Sequence, residues 1–344
     1  KTDSTKYLHT FDRTTSGGAK IAKPKQNRFW VLFSILGTKN ISKTEIFPYR
    51  SQLDKKSDFA FGIYRSNISE LNFVNVDSIN GTIYFDSGNH IIDKPYIVDV
   101  GFTVLADEGT HLNFKNHGSI ISYSPLVFIG HEDNPITFSS SDSTGGSLFV
   151  LNAKQKSFLK NIHFTGLSNP KTDYWQLTGA ITFYESPVSF SNCIFSGNME
   201  GDDYLNIIRS SFEIKDSKFS DTYADAFDSD YSEGTIINTI FTDCGNDGID
   251  ISGTNLTIEN ISSSNVGDKA ISAGENSSVY GSGISITNSE IAICSKDNSS
   301  ILINDVTLKK NIIDFALYQK KPEFGPATIN ADNVMTISPS IAYL

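Results

Sequence analysis

Cysteine is scarce in this sequence and does not cluster. Cys193, Cys244 and Cys294 are unevenly spaced and join no Cys-x-x-Cys or Cys/His motif, which sets aside a disulfide framework and a zinc site. Long apolar runs are missing too: the longest, Phe29 to Gly37, is too short to cross a bilayer. Leu, Ala, Glu and Arg, which favour helices, are few, and Arg209 is the only arginine after Arg65. Histidine stops at His163, so the second half of the chain offers no imidazole. Positive charge is in deficit, with 28 Lys and Arg against 39 Asp and Glu for a net charge of -11. A nucleic acid or an anionic membrane needs a basic face that this sequence does not contain, so neither is expected as a partner, and no membrane insertion is expected. The start at Lys1, without Met, reads as a mature or trimmed form from which any export signal is gone.

What is present is Ser, Asn, Ile, Thr, Phe and Gly, a β composition spread over 344 residues. Residues 1–75 carry no alignable repeat and are expected to form an N-terminal arm and cap or a small extra module. Within them Lys1 to Asn27 is a polar arm, and RFWVLFSILG is a strand or a short helix, the strand favoured by its aromatic and β-branched content. From about Gly81 the texture changes to short alternating runs such as TIYFDSG, FTVLADEG and PITFSS, separated by Gly, Asp, Asn and Pro. Such runs build a β-sandwich or a coiled solenoid.

Internal similarity separates the two. An apolar residue is followed two places on by Asn or Asp, and three further on usually by Phe, in LKNIHF, FSNCIF, IKDSKF and IINTIF. The pattern continues in IENISS, ITNSEI and INDVTL, and the intervals between anchors are 31, 24, 22, 22, 28 and 17 residues. Stacked coils of about 22 residues place Asn at one offset because each amide can bond the equivalent turn of the next coil. On these residues the chain resembles the right-handed parallel β-helix proteins, the architecture of pectate lyases and polygalacturonases. The expected fold is all-β, a right-handed parallel β-helix solenoid over residues 76–344, and the resemblance implies a polysaccharide partner and a secreted, cell-surface or periplasmic place.

Asp225 to Glu275 holds ADAFDSD, NDGIDISG and GDKAISAGE at the 22-residue spacing. In register, Asp203, Asp225, Asp247 and Lys269 form one column, and Asn206, Asp228, Asp250 and Ser272 a second. Strand parity turns Leu205, Phe227, Ile249 and Ile271 into the core and the second column outward, with Asp230 on the same face, and places the first column in the turn just before each strand. Asn206 and Asp230 are thereby candidate substrate contacts. Carboxylates stacked at about 4.8 Å repel and raise one another's pKa. A calcium ion, which takes carboxylate and amide oxygens, would compensate; Lys269 or Arg209 could do so instead.

NDGID, Asn246 to Asp250, is similar to the acidic motif of calcium-dependent lyases of the pectate lyase family 9 type. That resemblance implies metal ligands at Asp225, Asp247 and Asp250 and a Brønsted base at Lys269, although Asn246 stands at the family's first acid and Lys269 is nearer than its base. A lyase would use the cation to acidify the uronate C5 proton, with Arg209 steadying the carboxylate. NDGID with GDKAIS also resembles the polygalacturonase pattern, implying acid/base work by Asp247 and Asp268, but Lys269 replaces the second acid there and no His follows. In a hydrolase, Asp228 over Asp250 suits retention, and Asp228 with Asp247 suits inversion. The third reading is a non-catalytic carbohydrate-binding or structural solenoid. Trp175, Tyr174 and Tyr184, in the insertion after Phe164, could form a sugar-stacking platform or pack in a loop.

Overall fold

The computed structural model describes residues 29–33, 40–46, 66–171 and 175–337. The polar arm Lys1 to Asn27 and Tyr174 lie outside the described residues. The chain divides into two compact units, Lys1–Phe61 and Gly62–Leu344, so the boundary falls ahead of the position near residue 75 read from the sequence. The reason is local: Ile68, Leu71 and Phe73 are buried in the solenoid core, and Val74–Asp77 runs antiparallel to Thr82–Phe85 at its start.

In the first unit, Phe29–Phe33 pairs antiparallel with Ser42–Ile46, so the described part of RFWVLFSILG is a strand. Lys43 places its ammonium 4.2 Å from the centre of the Trp30 ring, a cation–π contact on an exposed surface.

The second unit is a parallel β-helix. Each coil passes through three strand positions, and two of them stack into one large sheet while the third forms a ten-stranded parallel sheet running from Pro95–Val98 to Ile313–Tyr318. That ten-stranded face carries the acidic stretch. Among the described residues, no helix is long and apolar enough to cross a membrane.

The repeated Asn or Asp explains how one coil becomes the next. Asn161, Asn192, Asp216, Asn238, Asn260 and Asp305 all take positive φ between the first and second strand of their coils, a conformation these two residue types tolerate better than other L-residues. Their side chains then ladder along the axis: Asn260 donates to Asn238 at 3.0 Å, and Asn238 donates to Asp216 at 2.9 Å. The Phe of each repeat stacks inside, with Phe195 on Phe219 at 4.3 Å and 3° and Phe219 on Phe241 at 5.0 Å and 5°. Such pairs add about 0.5–1.5 kcal/mol each beyond the area they bury.

One register expectation is corrected. The equivalent of Ile258 in the next coil is Gly281, and of Gly281 it is Ile303, so the uneven intervals around Ile286 give way to a regular spacing. Ile286 belongs to the neighbouring strand position, opposite Ser263 and Leu308. Gly281 hid the anchor because Ile258 occupies its side-chain space: a Cβ there would sit 2.4 Å from Ile258 Cγ1.

Candidate functional site

Along the ten-stranded face Asn206, Asp228, Asp250, Ser272, Cys294 and Ala316 lie opposite one another in successive coils. Their chain neighbours Leu205, Phe227, Ile249 and Ile271 are buried in the core, as alternation requires. Asp228 and Asp250 are half-buried, whereas Asn206 and Ser272 face outward yet are closed off from water. Asn206 is held by its neighbours, donating to Asp203 Oδ2 at 2.8 Å and to Asp228 Oδ2 at 2.7 Å. The amide thus bridges two carboxylates on adjacent coils.

The first column has a different task. Asp203, Asp225 and Lys269 open their strands, and Asp247 sits in the turn two residues before Ile249. Asp225 Oδ1 accepts the backbone N–H of Asp247 at 2.7 Å, and Asp247 Oδ1 accepts that of Lys269 at 2.8 Å. Each acid therefore secures the chain of the coil after it, and Asn246 Nδ2 adds a 2.6 Å bond to Asp225. These bonds fix where the carboxylates point. Asp225, Asp247 and Asp250 converge, with one oxygen from each lying within 4.8 Å of the others.

Cationic side chains close the lower end of the cluster. Lys269 Nζ pairs with Asp268 and lies 3.5 Å from Asp247. Lys296 Nζ lies 3.6 Å from Asp250 Oδ1, reaching over the coil between them. On its way it passes Gly274, where a Cβ would make an ordinary contact of 3.4 Å with Lys296 Cε. Lys321 pairs with Glu275, again across one intervening coil. Arg209 is outside the cluster, on the exit turn of the face, 3.7 Å from Glu185 and 3.5 Å from the Tyr184 hydroxyl. Trp175 is half-buried in the insertion, away from strand positions on this face.

Burial and mutual repulsion leave the acids short of positive charge. Burial pushes Asp225 up to about 7 against the hydrogen bonds of Asp247 and Asn246, and the charges of Asp250 and Asp203 add to the rise. Burial likewise pushes Asp247 up to about 7, helped by Asp250 and Asp225 and opposed by Lys269. Asp203 is raised by burial to about 6, and Asp228 well above the carboxylate range by burial and the charges of Asp203, Asp230 and Asp250. For Lys269, burial favours the neutral amine, but the Asp268 hydrogen bond and the charges of Asp247 and Asp268 outweigh it and hold the ammonium above its usual pKa. The expected base is thus held as a cation by its carboxylate partners.

The two columns and the inward row were legible in the spacing, whereas the Asp225, Asp247, Asp250 trio came from the resemblance of NDGID. Lys296, Lys321 and Glu275 were not legible: Glu275 and Lys296 lie in the polar runs GENSS and KDNSS, whose composition is that of turns, although two-residue parity from Cys294 puts Lys296 on the outward face. Tyr318, beside Cys294 and near Lys269, was also missed, its signal being its position at the end of the last strand of this face.

No family model matches the chain, and no curated protein matches it. Solved structures do. The chain is similar to the catalytic domain of a GH87 alpha-1,3-glucanase bound to tetrasaccharides, at 12% identity and TM-score 0.45 over 76% of this chain and 60% of that one. It is also similar to the periplasmic alginate epimerase AlgG, at 10% and 0.41 over 77% and 80%, and to PfbA, a surface adhesin of Streptococcus pneumoniae, at 11% and 0.38 over 77% and 86%. The chain therefore spans less than two thirds of the glucanase domain, and at these scores none of the three bears on the reaction of this groove.

Proposed function

We propose that the groove on the ten-stranded face is a polysaccharide-cleaving site in which Asp225, Asp247 and Asp250 hold a calcium ion, and that it acts on a uronate chain by β-elimination. The observation that carries this is the convergence of those three carboxylates within 4.8 Å, two of them with proton affinities near 7 that signal missing positive charge. Hard oxygen donors of this kind suit calcium. When bound, a divalent cation supplies Lewis acidity that lowers the pKa of the proton next to a uronate carboxylate. Such a substrate would be met outside the cytoplasm.

The chain's own residues do the rest. Asp225 and Asp247 are locked by their bonds to the following coil, so the trio keeps its shape without reorganisation. Lys269 stands beside Asp247 and is the proton acceptor in its neutral form. Because Asp268 and Asp247 favour the ammonium, the rate is expected to rise with pH through the alkaline range. Lys296 offers a second positive group beside Asp250.

Hydrolysis is the alternative that one feature favours: Asp228, raised well above the carboxylate range, is a carboxylic acid able to donate a proton. The two readings differ in sign, since a carboxylic acid catalyst loses activity as pH rises past its pKa. The test is a panel of pectate, alginate and glycosaminoglycans with calcium or chelator, following ultraviolet absorbance and reducing ends together. Absorbance that rises only with calcium, climbs with pH and disappears in Lys269→Ala supports elimination. Reducing ends without absorbance, fading above neutral pH, would replace it with hydrolysis.

A further inference from the structure

Three kinds of turn connect the strands of each coil, and the first of them obeys one rule. Between the first and second strands, the positive-φ residue is Asn, Asp or Gly at Asn161, Asn192, Asp216, Asn238, Asn260, Gly283, Asp305 and Asn333. Before the ten-stranded face it is Gly166, Gly197, Asp221, Asp243, Asn265 and Asn288 through the middle coils, with Asn116, His117 and Ser143 in the early ones and Lys310 at the end. The turn that leaves the ten-stranded face starts and ends the same way, with Asn152 and Asp297, but in between it carries Glu185, Arg209, Tyr231, Gly253 and Glu275 at positive φ. Long and aromatic L-residues are disfavoured there. On this exit turn the departures fall in the coils that bear the acids and in their immediate neighbours.

Tyr231 is the sharpest of them. Its φ is +50°, its side chain is 65% exposed, and its ring lies over Gly253, where a Cβ would come within 2.7 Å of Cδ1 and 3.0 Å of Cε1. Gly253 therefore makes a seat for the ring and leaves the ring exposed to solvent. Beside it is a hollow of about 450 Å³ lined by Arg209, Ser211, Tyr231, Glu233, Gly253 and Asn255. An exposed aromatic face next to guanidinium, carboxylate and amide groups is what a pyranose ring requires: apolar C–H groups against the ring and hydrogen bonds around its edge.

We propose that this ledge is an outer saccharide subsite, in which Tyr231 stacks a pyranosyl unit of the chain and Arg209, Glu233 and Asn255 hydrogen-bond its hydroxyls. The inference rests on the polysaccharide reading of the neighbouring groove and adds a direction to it. Tyr231 follows Asp228 by three residues, about 10 Å along the strand, roughly the length of a disaccharide. The bound chain thus follows the strand direction, from the acids towards the ledge, instead of crossing the coils along the solenoid axis. Arg209 acts here as part of the ledge, already balanced by Glu185 at 3.7 Å, so a negative charge on this unit is not required.

The variant Tyr231→Asn separates recognition from structure, because it installs the residue that the other turns use at the same φ. Calorimetric titration with di-, tetra- and hexasaccharides of galacturonate, mannuronate and guluronate reads binding; thermal unfolding reads stability. Expected is a tenfold or greater weakening for whichever hexasaccharide the wild type binds, a smaller one for its tetrasaccharide, none for its disaccharide, and a Tm that is unchanged or higher. Equal hexasaccharide affinity in the two proteins overturns the ledge, as does a lowered Tm, which would make Tyr231 a packing residue. A wild type that binds none of the hexasaccharides overturns it as well. Hexasaccharide binding lost in the variant while the wild type cleaves nothing would leave the ledge standing and remove the catalytic reading; cleavage with equal affinity would do the reverse.

Discussion

The same strands carry two rows of side chains with opposite habits. Inward, Leu205, Phe227, Ile249, Ile271, Ile293 and Phe315 stay apolar through six coils, all but the last of them buried. Outward, one residue further along each strand, the row reads Asn206, Asp228, Asp250, Ser272, Cys294 and Ala316. The inner row is constrained because each side chain fills space against the coils above and below. The outer row is packed too, with Asn206, Ser272 and Cys294 closed off from water, but it accepts polar groups, and its changes carry charge: acids on two coils, small residues on the next, lysines reaching back from below. Stability is read from the inner row and function from the outer one.

The largest effect that tests this contrast is on the inner row. Phe227→Ala removes a fully buried ring and is expected to cost about 3–5 kcal/mol, read as a shift in the urea midpoint. A cost below 1 kcal/mol would mean that the coil collapses around the gap and that the inner row is not the constrained one.

Next comes the outer region and its dependence on pH. Asp225 and Asp247 titrate near 7 in the folded chain, whereas in the unfolded chain both have released their protons by pH 5. Between pH 4 and 7 the folded state holds more protons, so stability in chelator falls as pH rises through that window and levels off above it. Asp247→Asn keeps an oxygen for the Lys269 N–H and should flatten the slope. A chelated protein that gains stability from pH 5 to 8 would show that its acids are already compensated.

Smaller still is the loss of one proposed ligand. Asp250→Asn is expected to weaken calcium binding by tenfold or more, about 1.4 kcal/mol, in a titration of the metal alone. A loss of similar size belongs to the turn ladder. Asn238→Ala removes one exposed rung between Asp216 and Asn260 and puts Ala at positive φ, for a loss of about 1–2 kcal/mol. A cost equal to that of Phe227→Ala would place the turns on the same footing as the core.

What the sequence disclosed follows from the same contrast. Period and parity are properties of every coil, so the 22-residue spacing, the Phe anchors, the inward row and the columns of Asp225 and Asp228 could all be read directly. Gly281 interrupted that reading because its space is filled by Ile258 from the coil before, leaving Ile286 as a false anchor. Lys296 and Lys321 escaped it because their partners lie 46 residues back, two repeats away, where a pattern built on adjacent coils has no reach. The exit turn escaped it too: positive φ is invisible in residues such as Arg209 and Tyr231, which ordinarily avoid it.

Lys296 on Asp250 and Lys321 on Glu275 also alter how this end of the molecule comes apart. In a solenoid whose repeats touch only their neighbours, unfolding proceeds as a one-dimensional chain of nearest-neighbour couplings, one repeat at a time. These two ion pairs each skip a repeat, so they add a coupling of second order to that chain. The coil bearing Gly274 is spanned by one and the coil bearing Lys296 by the other. Peeling from the C-terminal end would therefore meet overlapping clasps, and the unit that leaves is larger than one turn of the helix.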